Sequence, residues 1–388
     1  MGLEFLEVIE SIRAEEASVQ RLFNSEGQGV RQLAGRQNQQ YMTKLAEAAR
    51  FVADVFEGRR PVYHLQEAMT TSDFPLLFGD ILDRQLLANY RESPATYRSY
   101  CKVATVRDFR TVNRYFVNGA EAVLSQVNEQ AEYPEVALDE GRYQYSVQKY
   151  GRRIPFSWEA MINDDLDVLK DVPARFGRAA RRTEERFATV LFCDANGPHV
   201  TLYAADNNNI VTGNPALSIA GLQTAMQVLA AQTDTDGEPI VIDSVHLVVP
   251  PALEITAQNI LNALEIRLNE AGGTANQMVV AQNWMKSRVQ LHVNWYIPMI
   301  ITNGTRGNTS WFLFANPSVG RPALEVGFLR GHTEPEIFIK SPNAQRVGGG
   351  AVNPLDGDFD TDSIQYKVRH VLGGTRLDPK ATVASRGQ

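Results

Sequence analysis

Two stretches of strand character enclose a long acidic run without a single positive charge, and this arrangement limits how the chain can fold. Thr105–Val117 (TVRDFRTVNRYFV) and Gly141–Trp158 (GRYQYSVQKYGRRIPFSW) are rich in β-branched and aromatic residues. In the second, Tyr143, Tyr145 and Val147 alternate with Gln144, Ser146 and Gln148, the period-two pattern of a half-exposed strand. Asn118–Glu140 between them holds Glu121, Glu129, Glu132, Glu135, Asp139 and Glu140 and no Lys or Arg. The pattern predicts a long hairpin with an acidic, weakly structured tip. A two-stranded ribbon with so little apolar surface does not stand by itself in water. It needs a second surface, and the expectation is that another copy of the chain supplies it.

A long helix follows. Leu166, Leu169, Phe176, Ala180, Thr183, Phe187 and Val190 recur at steps of three, four and seven, one continuous seam. Pro173 should kink this helix or mark its true start, and Gly197-Pro198 ends it. Arg175, Arg178, Arg182 and Arg186 fall at steps of three and four and form a basic ridge. That ridge is either a solvated face paired internally with Glu184 and Glu185 or a dock for an acidic neighbour.

Upstream, residues 3–23 and 41–56 have helical spacing and are separated by a Gly- and Gln-rich break. They read as an arm or accessory segment. Residues 70–91 carry Leu76, Leu77, Ile81, Leu82, Leu86, Leu87 and Tyr90 on one stripe of a short helix. Downstream the texture becomes an alternation of helices and strands. Helices are predicted at Ile219–Ala231 and Ala252–Asn269, with strands at Val245–Val249, Val289–Trp295, Met299–Ile301, Trp311–Phe314, Glu325–Leu329, Glu336–Ile339 and Ser363–Leu372. The fold class is therefore α+β.

The chain has 388 residues, a prior of two or three domains, and ordinary globular composition. Its formal charge of −7 argues against gripping nucleic acid as a main task, because phosphate neutralisation needs a basic face. Cys101 and Cys193 are far apart and outside any CxxC pattern, so two buried reduced thiols are expected. The start of the chain has acids inside its apolar stretch and no basic leader, so it does not read as a signal peptide. No apolar run approaches the ~20 residues that span a bilayer, so no membrane partner is expected.

The chemistry-bearing motifs are missing: there is no phosphate loop, no GxGxxG after a strand, no GxSxG and no HExxH. The six histidines are scattered, and His246 and His292 read as solitary core residues. Asp356, Asp358, Asp360 and Asp362 alternate like the opening of a calcium loop. Thr361 and Lys367 stand where such a loop needs Gly and Glu, so a solvated loop is expected. Asp164 and Asp165 suit the first turn of a helix, and the sequons at Asn303 and Asn308 carry no meaning without a secretory route. No catalytic residue, metal or cofactor is expected.

The order of these parts, together with local wording, resembles a known family. TTSDFPLLFGDILDRQLLANY (70–90), QKYGRRIPFSWEAMINDDLDVLKDVPARFGRAARRTEERFATVLF (148–192), VHLVVPPALEITAQNIL (245–261) and IQYKVRHVLGGTRLDP (364–379) are similar to segments of Mu-like and related phage major head proteins. The whole resembles the Hong Kong 97-like capsid fold, shared by tailed-phage and herpesvirus shells and by encapsulins, over roughly residues 60–388. The resemblance implies an N-terminal helical segment (1–60), an N-arm (61–104), an extended loop (105–155), a peripheral domain with its spine helix (156–215 and 345–388) and an axial domain (216–344). It implies a structural subunit of an icosahedral phage head that pairs with itself in hexamers and pentamers. Portal, scaffold and decoration proteins are the other implied partners, and packaged double-stranded DNA lies nearby without specific contact. The implied location is the virion, assembled in the bacterial host cytoplasm. An encapsulin-like compartment shell is the first alternative, and an α/β enzyme with an unrecognised site the remote one. Some members cross-link neighbours through a Lys in the extended loop; here the tip has none and Lys149 lies at the base, so no such link is expected. The acidic tip is expected to meet Arg175, Arg178, Arg182 and Arg186 of a neighbour.

Overall fold

The computed structural model describes residues 43–55, 59–61, 64, 68, 74–118, 139–157, 159, 166–233, 237, 239–240, 242, 244–263, 265–269, 278–319, 321–341, 347 and 358–388. The predicted helix over 3–23, the hairpin tip with Glu121, Glu129, Glu132 and Glu135, and Asp164, Asp165 and Asp356 lie outside these residues. In chain order the elements are α1 (43–55), α2 (Phe74–Glu92), β1 (Lys102–Val106), β2 (Val112–Asn118), β3 (Asp139–Tyr145), β4 (Gln148–Ser157) and α3 (Leu166–Phe192). Then come α4 (Ile219–Ala230), β5 (Val245–Val249), α5 (Glu254–Asn262), β6 (Glu265–Asn269), β7 (Met278–Gln282), β8 (Val289–Val293) and β9 (Trp311–Ala315). The last are β10 (Leu324–Leu329), β11 (Glu336–Ile339), β12 (Ser363–Arg376) and β13 (Thr382–Ser385). The protein is thus mixed α and β. Contacts divide it into two compact units: Met1–Pro94, Lys149–Arg182 and His332–Val371 form the first, and Ala95–Gln148, Thr183–Gly331 and Leu372–Gln388 the second.

In the first unit, α1 is a structural element of the core and not the accessory segment its sequence suggested. Leu45, Ala48, Ala49, Val52, Ala53 and Val55 recur at helical spacing and are buried with Ile81, Leu82 and Leu86 of α2, Val172 and Phe176 of α3, and Ile364, Tyr366 and Val368 of β12. Close approach of α2 and α3 depends on Gly177, where a Cβ would stand 2.5 Å from the Leu86 carbonyl oxygen. Pro173 lies inside α3, so it does not mark the helix start. Strand β11 runs antiparallel to the first half of β12, from Glu336↔Arg369 to Ile339↔Tyr366, and β4 also pairs with β12.

In the second unit a four-stranded sheet has the order β8-β5-β9-β13. Strands β8 and β5 are parallel, and β9 runs antiparallel to both β5 and β13. All five residues of β5 are buried, because both faces of the sheet are covered. On one face Val245, Leu247, Val249, Trp311, Leu313 and Val383 pack on Leu222, Ala225 and Leu229 of α4 and Ala257, Ile260 and Leu261 of α5. On the other, Phe312 and Phe314 meet Tyr100 and Phe192, with Tyr100 stacked on Phe314 at 5.0 Å between centroids. Cys101 and Cys193 are free and buried, and burial pushes both thiols well up.

Several predicted elements differ. The helix expected over Ala252–Asn269 stops at Asn262, and Glu265–Asn269 pairs with Met278–Gln282 as a hairpin, following the alternation of Ile266 and Leu268. Met299–Ile301 is not a strand but belongs to a helical turn, Ile297–Ile300, with Pro298 in its first turn. Strand β12 continues past Leu372 to Arg376, and β13 is an edge strand the sequence did not suggest. Both ribbon strands are also split: Thr105–Val117 into β1 and β2, and Gly141–Trp158 into β3 and β4.

His246 and His292 are a pair, not solitary residues. Their strands lie side by side, and His246 Nδ1 is 3.0 Å from His292 Nε2, so one ring donates and the other accepts. Burial lowers the pKa of both, that of His292 to about 4 with His246 as the lesser cause. Unfolded, each would take up a proton near pH 6.5. Their contribution to stability is therefore complete above that pH and is lost as pH falls toward 4. The melting temperature should drop between pH 7 and pH 5, and His292→Gln should make the drop shallower; an unchanged slope in calorimetry would contradict this.

Candidate functional site

The predicted hairpin exists, and its root is a built seat in the second unit. Strands β2 and β3 pair antiparallel from Val112↔Tyr145 to Asn118↔Asp139. At the root, Glu325 of β10 is fully buried. Arg114 donates to Glu325 Oε1 from Nε at 2.6 Å, and the Tyr145 hydroxyl donates to the same oxygen at 2.6 Å. Lys102 Nζ stands 4.0 Å from the other carboxylate oxygen. A buried carboxylate with two charge-assisted donors is a strong, directional anchor. Burial and the neighbouring Glu325 charge push the Tyr145 hydroxyl pKa up, so it stays protonated and donating.

The floor of the seat is made of glycine. Gly327 lies two residues beyond Glu325, hence on the same face of β10, and pairs across the ladder with Gly373 of β12. A Cβ on Gly327 would stand 2.5 Å from the Tyr145 hydroxyl oxygen, and one on Gly373 would stand 2.5 Å from the Ser146 carbonyl oxygen. The ring of Tyr145 and the backbone of Ser146–Val147 therefore lie directly on the bare sheet. Sequence reasoning missed the seat, although the alternation of Leu324, Val326 and Phe328 with Glu325 and Gly327 was there to be read.

The ten residues expected at an interface are distributed as follows. Asp139 and Glu140 lie on β3 opposite Asn118 and Val117, at the far end of the described ribbon. Arg175, Arg182 and Arg186 are exposed along α3, while Arg178 is half-buried and donates from Nη1 to Asn89 Oδ1 at 2.9 Å. Of the two readings of the ridge, the solvated face paired with Glu184 and Glu185 is not what the structure has, because both carboxylates are buried. Glu184 accepts from the Tyr97 hydroxyl at 2.7 Å, and Glu185 accepts from Thr96 Oγ1 and the Tyr97 backbone N–H. Burial raises the pKa of Glu185 against those bonds. Arg181, which the ridge pattern passed over, is buried; it stacks 3.9 Å from the Tyr90 ring centroid and donates to the Tyr90 carbonyl, closing the end of α2.

Asp358 also departs from expectation. It is buried, not solvated: Oδ1 accepts from the backbone N–H groups of Thr361 and Ser363, and Oδ2 from Lys340 at 3.0 Å. These bonds hold its carboxyl well below the usual range and brace the loop that enters β12. Among the described residues, no group of three His, Cys, Asp or Glu side chains could hold a metal, and no helix is long and apolar enough to cross a membrane. A groove of about 570 Å³ beside α4 is lined by Met226, Leu229, Ile242, Trp284 and Arg288, a set without an acid–base pair.

A family described as phage capsid protein matches residues 142–385. The chain belongs to that family. It is a structural subunit of a bacteriophage head, a major capsid protein and not an enzyme, and the match favours the phage shell over an encapsulin-like compartment. Solved structures similar to it include the capsid of Ralstonia phage GP4, with 10% identity, 74% of this chain and 87% of that chain covered, and a TM-score of 0.49. Another is from Gordonia phage Cozz, with 14% identity, 75% and 85% covered and a TM-score of 0.43. A third is the capsid of cyanophage P-SCSP1u, with 11% identity, 74% and 86% covered and a TM-score of 0.40. No curated protein matches the sequence.

Arg114→Ala leaves the buried Glu325 carboxylate with Tyr145 as its hydrogen-bond donor. Breaking a buried pair costs ~3–5 kcal/mol, and Arg114 is about one-third exposed, so a loss of about 2–4 kcal/mol in chemical denaturation is expected. A loss below about 0.5 kcal/mol would mean the seat does not hold the ribbon.

Proposed function

We propose that this capsid subunit builds its shell in the Hong Kong 97-like manner, with the acidic ribbon laid across an adjacent copy. The observation that carries the reading is a ribbon planted firmly at its root while Tyr115, further along it, stays 64% exposed. An aromatic so placed is covered once a second copy lies beneath the ribbon. In this reading residues 61–104 are the N-arm, 105–155 the extended loop, 156–215 and 345–388 the peripheral domain, and 216–344 the axial domain. The greater part of that axial range falls within the second compact unit. The copies gather in hexamers and pentamers.

The acids at Glu121, Glu129, Glu132, Glu135, Asp139 and Glu140 then pair with Arg175, Arg178, Arg182 and Arg186 of a neighbour. Arg178 comes to that contact already engaged with Asn89. Exposed ion pairs are worth ~0.2–1 kcal/mol each, so they set register more than strength. Portal, scaffold and decoration proteins complete the particle inside the host cytoplasm. Packaged double-stranded DNA lies against a net-negative subunit that does not bind it specifically.

Expressed alone, the protein should sediment as large particles that negative-stain microscopy shows as closed shells. A stable monomer or dimer would overturn the reading. Arg182→Glu should slow assembly at low salt and matter less at high salt, where the ion pairs are screened; identical light-scattering traces at low salt would remove the ridge from the interface.

A further inference from the structure

Asparagine followed by glycine occurs at Asn118, Asn196 and Asn303. Such a step is chemically reactive. The backbone nitrogen of the glycine can attack the side-chain carbonyl carbon of the asparagine. Having no Cβ, the glycine neither shields that nitrogen nor resists the backbone change the attack requires. The reaction is favoured where the glycine N–H is free of a hydrogen bond and the step is open to water. Gly119 lies outside the described residues. Of the other two steps, the fold opens the one at Asn303 and closes the one at Asn196.

Asn303 and Gly304 are exposed, on the turn between the helical turns Ile297–Ile300 and Arg306–Thr309. The chain enters this turn fixed: the backbone N–H groups of Thr302 and Asn303 both donate to the Ala195 carbonyl, at 3.1 and 3.0 Å. It leaves the turn free. Among the described residues the Gly304 N–H has no hydrogen-bond acceptor. Gly304 stands in the left-handed region at φ 58°, and a Cβ there would meet nothing within 4 Å. The Asn303 side chain makes one bond, from Nδ2 to Asn196 Oδ1 at 3.1 Å. A hydrogen bond is worth ~0.5–1.5 kcal/mol net, so this exposed one opens far more often than the slow chemistry proceeds.

The Asn196-Gly197 step is the contrast within the same chain. Gly197 is buried and paired with Asp194 in a short hairpin. Asn196 is held from three directions. Its backbone N–H donates to Asp194 Oδ1 at 2.7 Å, its carbonyl accepts from Arg306 Nη1 at 3.2 Å, and its Oδ1 accepts from Asn303.

We propose that Asn303 is a site of spontaneous modification, at which the folded chain converts an amide into an acid while sparing Asn196. The Gly304 nitrogen gives its proton to solvent and bonds to Asn303 Cγ. The Cγ–Nδ2 bond then breaks, and Nδ2 takes a proton from solvent and leaves as ammonia. Water opens the resulting cyclic imide at either carbonyl, giving an aspartyl or an isoaspartyl residue. Each conversion puts one carboxylate into Trp295–Thr305, a stretch with no acid or base apart from Tyr296. It also ends the bond that Asn303 donates to Asn196, because a carboxylate has no hydrogen to give. The surface of the subunit thus becomes more negative with age.

The test is a time course on the full chain in mildly alkaline buffer, read by peptide mass spectrometry that separates amide, aspartyl and isoaspartyl forms. Residue 303 should convert about tenfold or more faster than residue 196 in the folded protein. In urea, where the fold no longer selects, the two should convert at similar rates. Asn303→Gln should abolish the signal in its peptide, which also contains Asn294. Gly304→Ala should slow it about tenfold or more, since a Cβ then shields the attacking nitrogen. A residue 303 that stays an amide, a residue 196 that keeps pace with it in the folded chain, or a ratio unchanged by unfolding would each overturn the proposal. So would a signal that survives Asn303→Gln.

Discussion

One buried carboxylate fixes the root of the hairpin to the sheet beneath it. Glu325 is withdrawn from water, and its cost of burial is offset by Arg114 and Tyr145, which come from the two strands of the hairpin. The three side chains thus fix two strands against a third. Gly327 and Gly373 make the arrangement possible, since any side chain on either would lift the ribbon off the sheet.

The same economy appears in the ionisable groups along α3. Glu184, Glu185 and Arg181 are spent internally, each on a backbone or hydroxyl partner at the end of a helix or helical turn. Arg175, Arg182 and Arg186 stay outside. One helix thus carries both internally bonded and exposed ionisable groups.

Much of the local structure was legible in the sequence because it follows from periodicity. The alternation around Tyr143 and Tyr145, the apolar run Val245–Val249 and the seam from Leu166 to Val190 all became the elements they announced. What was not legible depends on residues far apart in sequence. Nothing near Ser146 hints that Gly373 lies beneath it, and nothing near His246 reveals His292 on the next strand. Glu184 and Glu185, set among arginines, look like a solvated face until Tyr97 and Thr96 are brought against them. Helix α1 was misjudged because a Gly- and Gln-rich stretch isolates it in the chain, while its Leu, Ala and Val stripe is part of a core built with much later segments. Of the residues expected at an interface, Arg178 is half-buried against Asn89, and the tip acids from Glu121 to Glu135 lie outside the described residues.

The central claim is that the ribbon is anchored by its own subunit at the root and supported by another copy along its length. Amide hydrogen exchange across Val112–Asn118 and Asp139–Tyr145, compared between dissociated subunits and assembled shells, tests this most directly. The account predicts protection near Val112 and Tyr145 in both states, with protection toward Asn118 and Asp139 gained on assembly alone. Equal protection along the whole ribbon in the isolated subunit would contradict it.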